Sequence, residues 1–239
     1  MKKKENNDLI IAKNPKSRFA ESIKTIRTNI AFSNVDKENK VILITSCEPG
    51  DGKSFISASL AAAYSQEGKN VLLIDCDLRR GRQHEIFAVP NGTKGGYSNL
   101  ILKYKAGENK HGLNVKDYIA TTAVKRLSLI VNGPVPPNPT ELLSSKNNEA
   151  LLEKVREMYD IIILDCPPVV GLSDAAIMTK YSDINLLVVS CGKTKIELVD
   201  RAKKTFQNVN ANLSGVVLNK INAKGTSYGS YYSDKYYGE

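Results

Sequence analysis

The chain has 239 residues and a formal net charge of +9, with 41% hydrophobic and 25% charged residues. This length and composition suit one α/β domain with a sizeable core, since single domains of this type often exceed about 200 residues. No apolar run approaches the roughly 20 residues that cross a bilayer, and the lysine-rich start leads into no apolar signal-peptide stretch. We therefore expect a soluble, unexported protein of the cytoplasm.

The positive charge favours an anionic partner, such as a nucleotide phosphate, an acidic membrane surface or nucleic acid, without choosing among them. Scattered lysines that keep the protein soluble explain the charge equally well. The four cysteines form no CxxC pair, so we expect buried free thiols rather than a zinc site. They are Cys47, Cys76, Cys166 and Cys191.

The first predicted element is a helix that follows a loose polar segment, residues 1–18. Its apolar residues recur at spacings of four, three and four, which is the period of a helix face. They are Phe19, Ile23, Ile26 and Ile30. Glu21, Lys24 and Arg27 run along a different face of the same helix.

Six buried strands are predicted next, because six runs are continuously apolar rather than alternating. The runs span residues 41–45, 71–75, 127–131, 161–165, 184–189 and 215–219. Helices are predicted between them over 53–67, 140–158 and 197–209, the first closed by Gly68 as a C-cap glycine. This repetition predicts a doubly wound, mostly parallel α/β sheet over residues 19–224, with a flexible tail over 225–239.

A phosphate-binding loop is predicted between the first strand and the first long helix. Backbone N–H groups of such a loop surround phosphates, a lysine neutralises the β/γ oxygens and a serine hydroxyl reaches Mg²⁺. The strict pattern has glycine where this chain has Cys47, and the alternative is a chance glycine-rich turn. The residues expected to bind nucleotide are Pro49, Gly50, Asp51, Gly52, Lys53, Ser54 and Phe55.

Acidic residues end two of the predicted strands. Asp165 stands where a Walker-B aspartate holds Mg²⁺, usually through water. Asp75 and Asp77 lie on one side of an extended chain, so both could face a γ-phosphate. The alternative for each aspartate alone is a helix N-cap or a turn residue. Together with Lys53, the acids are enough for magnesium binding and for a base that accepts a hydroxyl proton.

These motifs resemble those of the bacterial tyrosine kinases (BY-kinases) that accompany capsule and exopolysaccharide synthesis operons. The similarity covers nearly the whole chain and is carried by residues 14–17, 46–54, 75–80, 133–143 and 161–168. The resemblance implies a P-loop NTPase-type fold and Mg-ATP as cofactor, with Lys53 on ATP and Ser54, Asp77 and Asp165 around Mg²⁺. It implies Asp75 as the base that takes the tyrosine proton, although Asp75 and Asp77 could exchange roles.

The resemblance also implies partners. Subunits of this family form homo-oligomeric rings in which each tail enters a neighbour's site, and a cognate tyrosine phosphatase reverses the modification. A membrane-bound polysaccharide chain-length regulator acts as activator, which would recruit this chain to the inner face of the cell membrane; no nucleic-acid partner is expected.

The family's ring contact reads Glu21, Lys24 and Arg27 here, with lysine in place of the first arginine. An ordinary solvated helix face is the alternative. Gly81 replaces a usual proline.

The C-terminal tail carries the expected phosphoacceptors, which are Tyr228, Tyr231, Tyr232, Tyr236 and Tyr237. An aromatic interaction tail is the alternative.

Partition and division-site ATPases share the fold, but their signature lysine corresponds to Glu48 here, which counts against a switch ATPase. A nucleotide-dependent scaffold without phosphotransfer is a third possibility.

Overall fold

The architecture is a twisted sheet covered by helices on both faces. It is seen in a computed structural model that describes residues 14–33, 39–91, 95–104 and 113–221. Within these residues the strands are β1 (Val41–Ser46), β2 (Val71–Asp75), β3 (Ala120–Thr121), β4 (Leu127–Ile130), β5 (Ile161–Asp165), β6 (Ile184–Ser190) and β7 (Gly215–Asn219). Their order is β3-β4-β2-β5-β1-β6-β7, and every pair is parallel except β3–β4. The predicted fold class is confirmed.

The helices divide between the two faces of the sheet. The described residues contain α1 (Arg18–Ser33), α2 (Lys53–Gln66), α3 (Gln83–Ile86), α4 (Tyr97–Lys103), α5 (Pro139–Leu143), α6 (Lys146–Met158), α7 (Asp174–Met178) and α8 (Ile196–Asn208), with short 3-10 turns at Val115–Tyr118 and Thr179–Tyr181. One apolar core joins α1 and α2 to the sheet, and a second joins α4 to α8 to the other face. Continuous apolar strands therefore form because both faces are covered.

One predicted helix was wrong in its extent. The segment 140–158 is two helices, α5 and α6, because Ser145 has an extended backbone and its hydroxyl accepts a hydrogen bond from the Asn148 N–H. A serine in this position caps a new helix start and so ends the previous helix. The short antiparallel strand β3 was not predicted at all.

Two expectations of burial were also wrong in part. Val216 and Leu218 of β7 are 48% and 58% exposed, because β7 is an edge strand with one face uncovered. Cys191 is exposed, since it lies in the turn after β6, whereas the other three cysteines are buried free thiols. Within the described ranges, no helix is long and apolar enough to cross a membrane.

The pairing register places two acidic side chains next to each other. Parallel β2 and β5 align Asp75 with Asp165, and β1 aligns Ile44 with Asp165. The carboxyl ends of β1, β2 and β5 therefore meet at one edge of the sheet, where open α/β sheets bind their ligands. The loop after β1, residues 47–52, ends at the same edge.

Candidate functional site

The loop between β1 and α2 has the backbone of a phosphate-binding loop. Gly50 and Gly52 have φ values of 91° and 99°, a left-handed conformation that favours glycine. A Cβ at Gly52 would also lie 2.1 Å from the Asn219 amide nitrogen, so no larger residue fits there. Cys47 is buried, and burial together with Asp51 and Glu48 raises the pKa of its thiol to about 11. The thiol therefore stays protonated near neutral pH.

Lys53 lies between two of the predicted carboxylates. Its ammonium group donates to Asp77 Oδ2 at 3.0 Å and lies 3.6 Å from Asp165 Oδ1 and 3.3 Å from Ser54 Oγ. Burial alone would lower the pKa of Lys53, but the charges of Asp165 and Asp77 raise it above its ordinary value. The cationic ammonium group thus lies among three oxygen acceptors at the start of α2.

Asp75 is fully buried behind this group. Its carboxylate accepts hydrogen bonds from the Gln83 and Asp77 backbone N–H groups, at 3.0 and 3.3 Å. Burial raises the pKa of Asp75 well above its usual range, and the neighbouring charge of Asp165 raises it further, while the Gln83 hydrogen bond opposes both. The Asp75 carboxylate is therefore a stronger base than that of an exposed aspartate.

A cavity of about 730 Å³ opens above Lys53. Its lining comes from the phosphate loop and from later segments of the chain: Pro49, Gly50, Gly52, Lys53, Ser54, Phe55, Asp77, Arg79, Arg80, Arg82, Ile86, Pro167, Pro168 and Leu172. Of the four aspartates among the predicted site residues, Asp77 lines the cavity, whereas Asp75, Asp165 and Asp51 do not. The Asp51 carboxylate instead accepts from the Glu48 N–H and the Thr194 hydroxyl, and so holds the loop in shape.

Several residues of the site were missed by sequence reasoning. Asn219 Nδ2 donates to Asp51 O at 2.8 Å and Lys220 Nζ donates to Gly50 O, so the end of β7 braces the phosphate loop. Gln83 Nε2 donates to Asp165 Oδ2 at 2.7 Å and to Ser54 O at 3.0 Å. The sequence offers one indication of these residues. Asn219 and Lys220 stand at the end of β7 and Gln83 follows β2, so all three are expected near the carboxyl edge of the sheet, where ligands bind.

The predicted ring contact is paired within the chain. Lys24 Nζ lies 2.6 Å from Glu21 Oε1 and donates to Pro15 O at 2.9 Å. Arg27 contacts α2, where its Nη1 donates to Ala63 O at 2.9 Å and its Nη2 pairs with Glu67. The five predicted phosphoacceptor tyrosines lie outside the described residues, as do most residues of the predicted segments 1–18 and 225–239.

Comparisons with known proteins give a consistent result. A family model described as an AAA domain matches residues 39–219. The tyrosine-protein kinase YwqD of Bacillus subtilis (strain 168) is 38% identical over 225 residues, which cover 94% of this chain and 91% of that protein. The crystal structure of the chimerical protein CapA2B2 is similar with a TM-score of 0.82 and 36% identity, covering 90% of each chain.

The division-site class of ATPase is a more distant match. The septum site-determining protein MinD of Pyrococcus horikoshii OT3, solved with Mg-ADP, has a TM-score of 0.58 and 21% identity, covering 75% of this chain and 69% of that one. At this identity the likeness concerns the fold alone. The relatives at higher identity therefore favour phosphotransfer over the switch-ATPase alternative.

Proposed function

The chain belongs to the family of bacterial tyrosine-protein kinases, and on that premise we propose that it transfers the γ-phosphate of Mg-ATP to tyrosines of its own C-terminal segment. Transfer takes place between subunits and controls capsule or exopolysaccharide synthesis and export. The tyrosine oxygen forms a bond to the γ-phosphorus, the bond to the bridging oxygen breaks and ADP leaves. The phenolic proton passes to a carboxylate.

The observation that carries this proposal is the position of Lys53. Its ammonium group lies beside Asp77 and Asp165 at the phosphate loop, at the edge of a cavity large enough for a nucleotide. Phosphoryl transfer requires mainly positioning and charge neutralisation. A buried cation, a glycine loop and adjacent carboxylates supply both. Lys53 binds the phosphates, and the loop residues Gly50 to Ser54 surround them through backbone N–H groups.

The same residues fit a magnesium ion. Among the residues that the structure describes, no group of three or more His, Cys, Asp or Glu side chains could hold a metal by itself. Mg²⁺ is usually held by one or two carboxylates together with substrate phosphates, and Ser54, Asp77 and Asp165 offer such a partial oxygen set around Lys53. When bound, Mg²⁺ would neutralise charge on the β- and γ-phosphate oxygens.

The base is assigned to Asp75, with Asp77 as the alternative. A raised pKa favours proton acceptance at the moment of transfer, and burial with the Asp165 neighbour gives Asp75 that property. Asp77 is the acid that lines the cavity, and its carboxylate is bound to Lys53. Asp75 is fully buried and does not line the cavity, so the exchange of roles stays open.

The partners follow from the family, and one contact near the end of the described residues agrees with them. Lys220, which follows β7, donates to the Gly50 carbonyl of the phosphate loop. We assign recruitment to the inner face of the cell membrane to a separate membrane-bound chain-length regulator, and reversal to a tyrosine phosphatase.

The test is substitution of Lys53 by methionine, which keeps the aliphatic stem and removes the charge. We expect loss of autophosphorylation by at least about a hundredfold, since a phosphate-binding cation is lost, with the fold retained. Phosphotyrosine is measured with a specific antibody after incubation with Mg-ATP. The control is Lys69→Met, because Lys69 is exposed in the turn between α2 and β2, at the opposite edge of the sheet. Phosphorylation that persists in Lys53→Met contradicts the assignment.

A further inference from the structure

One arginine of the cavity is held in place by two residues that have no other role so far. Arg79 Nε and Nη2 donate to Asp174 Oδ2 and Oδ1 at 2.8 and 3.3 Å, and Nη2 also donates to the Thr140 hydroxyl at 3.1 Å. The Thr140 hydroxyl donates to Asp174 Oδ1 at 2.6 Å. Arg79, Thr140 and Asp174 are called the arginine triad below. Thr140 lies at the start of α5, within the proline-rich segment 133–143.

The triad fixes the direction of the guanidinium group. Asp174 is fully buried, so its charge must be paired, whereas the Arg79 side chain is 37% exposed and lines the cavity. A two-point bond between guanidinium and carboxylate orients the planar group, unlike a single contact. Three separate segments, after β2, at α5 and at α7, meet here. Arg79 is therefore a rigid cation.

The side chain of the neighbouring Arg82 is held less firmly than that of Arg79. It pairs with Glu85 three residues away, and the two side chains are 70% and 50% exposed. Surface pairs of this kind contribute little and do not hold a side chain in one place. Rigid positioning thus distinguishes Arg79 among the arginines that line the cavity.

The lining of the cavity contains two chemically different groups of residues. The phosphate loop and Lys53, paired with Asp77, form the first. The second combines Arg79, Arg80 and Arg82 with the apolar side chains of Ile86 and Leu172, and it is called the arginine-lined side below. Apolar walls suit an aromatic ring, and guanidinium groups suit carboxylates. In the described residues, Arg79 Nη1 makes no hydrogen bond that would compete with a ligand.

We propose that the arginine-lined side is the acceptor subsite, that it selects tyrosines with an acidic residue nearby, and that Thr140 and Asp174 are positioning residues that hold Arg79 for this selection. The proposal rests on the proposed kinase function. The sequence of the chain's own tail agrees with it, since Asp234 lies two residues from both Tyr232 and Tyr236, and Glu239 lies two residues after Tyr237.

The test compares two fluorescent peptides of equal length with one tyrosine, flanked either by glutamates or by glutamines. Their binding to the full chain with ADP is followed by anisotropy at physiological salt. We expect the glutamate peptide to bind about tenfold more tightly, as charge-assisted hydrogen bonds allow. Thr140→Val, which keeps the volume and removes the hydroxyl, should reduce that ratio severalfold, and Thr140→Ser should keep it. Arg79→Gln should abolish it.

Each contrary result has a definite meaning. Equal binding of both peptides, or binding of neither, overturns the acceptor subsite. A preference that persists in Arg79→Gln overturns the role of Arg79, and equal effects of valine and serine at position 140 overturn the role of the hydroxyl. ADP affinity is measured for each variant, and phosphate transfer to each peptide is measured in parallel samples that contain Mg-ATP. Failure of the kinase function appears as no transfer to either peptide, whereas failure of this inference appears as transfer without preference.

Discussion

Gln83 connects the three segments on which the site depends. It is completely buried, and it bonds Asp75 through its backbone, Asp165 through its side chain and Ser54 through the same amide. Two neighbouring buried carboxylates repel each other, and a donor shared between them offsets that cost. Gln83 is thus the residue that lets Asp75 and Asp165 stand side by side at the ends of β2 and β5.

Substitution of Gln83 by leucine tests this role. The change keeps the side-chain volume but leaves Asp165 Oδ2 without its 2.7 Å donor. We expect a loss of about 2 kcal/mol in the free energy of unfolding, the scale of a hydrogen bond to a charged group. Urea denaturation measures it. The matched control is Gln207→Leu in α8, where an exposed side chain should change stability by less than about 0.5 kcal/mol. Equal effects at both positions would refute a special role for Gln83.

At the scale of elements, α1 is joined to the phosphate-binding helix α2. Phe19 packs on Phe55 with ring centroids 5.0 Å apart, and Arg27 bonds the Ala63 carbonyl and Glu67. Phe55 in turn lines the cavity. The helix assigned to the ring contact is therefore in direct contact with the helix that holds Lys53. A change in subunit contacts at α1 would therefore reach the cavity through the contact between Phe19 and Phe55.

The roles of the two cations of the predicted ring contact, Lys24 and Arg27, can be separated by experiment. Arg27→Met should lower the free energy of unfolding by about 1 kcal/mol, because a part-buried hydrogen bond and ion pair are lost. Lys24→Met should change it by less than about 0.5 kcal/mol, since Lys24 forms a surface pair. If the helix face that carries Glu21, Lys24 and Arg27 is also the contact between subunits, both variants should shift the oligomer toward monomer in light scattering. An oligomer unchanged in both variants would place the ring contact elsewhere.

The sequence predicted what depends on local pattern. The apolar runs predicted the central strands, and the glycines with Lys53 predicted the phosphate loop. Contacts between distant segments had no local signal: Thr140 meets Asp174 across 34 residues and Asn219 meets Asp51 across 168. The break between α5 and α6 was missed because helix periodicity outweighed the capping serine. The position of Cys191 depends on an exposed turn that apolar neighbours did not indicate.

At the scale of the whole molecule, we propose that the tail and the site take part in one reaction. Lys220 contacts the phosphate loop, and the five tyrosines follow it in the sequence. Replacing all five tail tyrosines by phenylalanine should remove most phosphate uptake and leave ADP binding unchanged, because the acceptors are lost and the site is not. The substituted residues are Tyr228, Tyr231, Tyr232, Tyr236 and Tyr237. Undiminished uptake would move the acceptors elsewhere in the chain.

The central claim is phosphotransfer to protein, and the most direct measurement compares two products in the same sample. The full chain is incubated with Mg-ATP, with and without the cytoplasmic segment of the proposed membrane activator. Intact mass and released ADP are followed together. We expect stepwise gains of phosphate mass, one for each ADP released, with none in Lys53→Met. ADP release without any gain in mass, even with the activator present, would contradict a tyrosine kinase and indicate a switch ATPase.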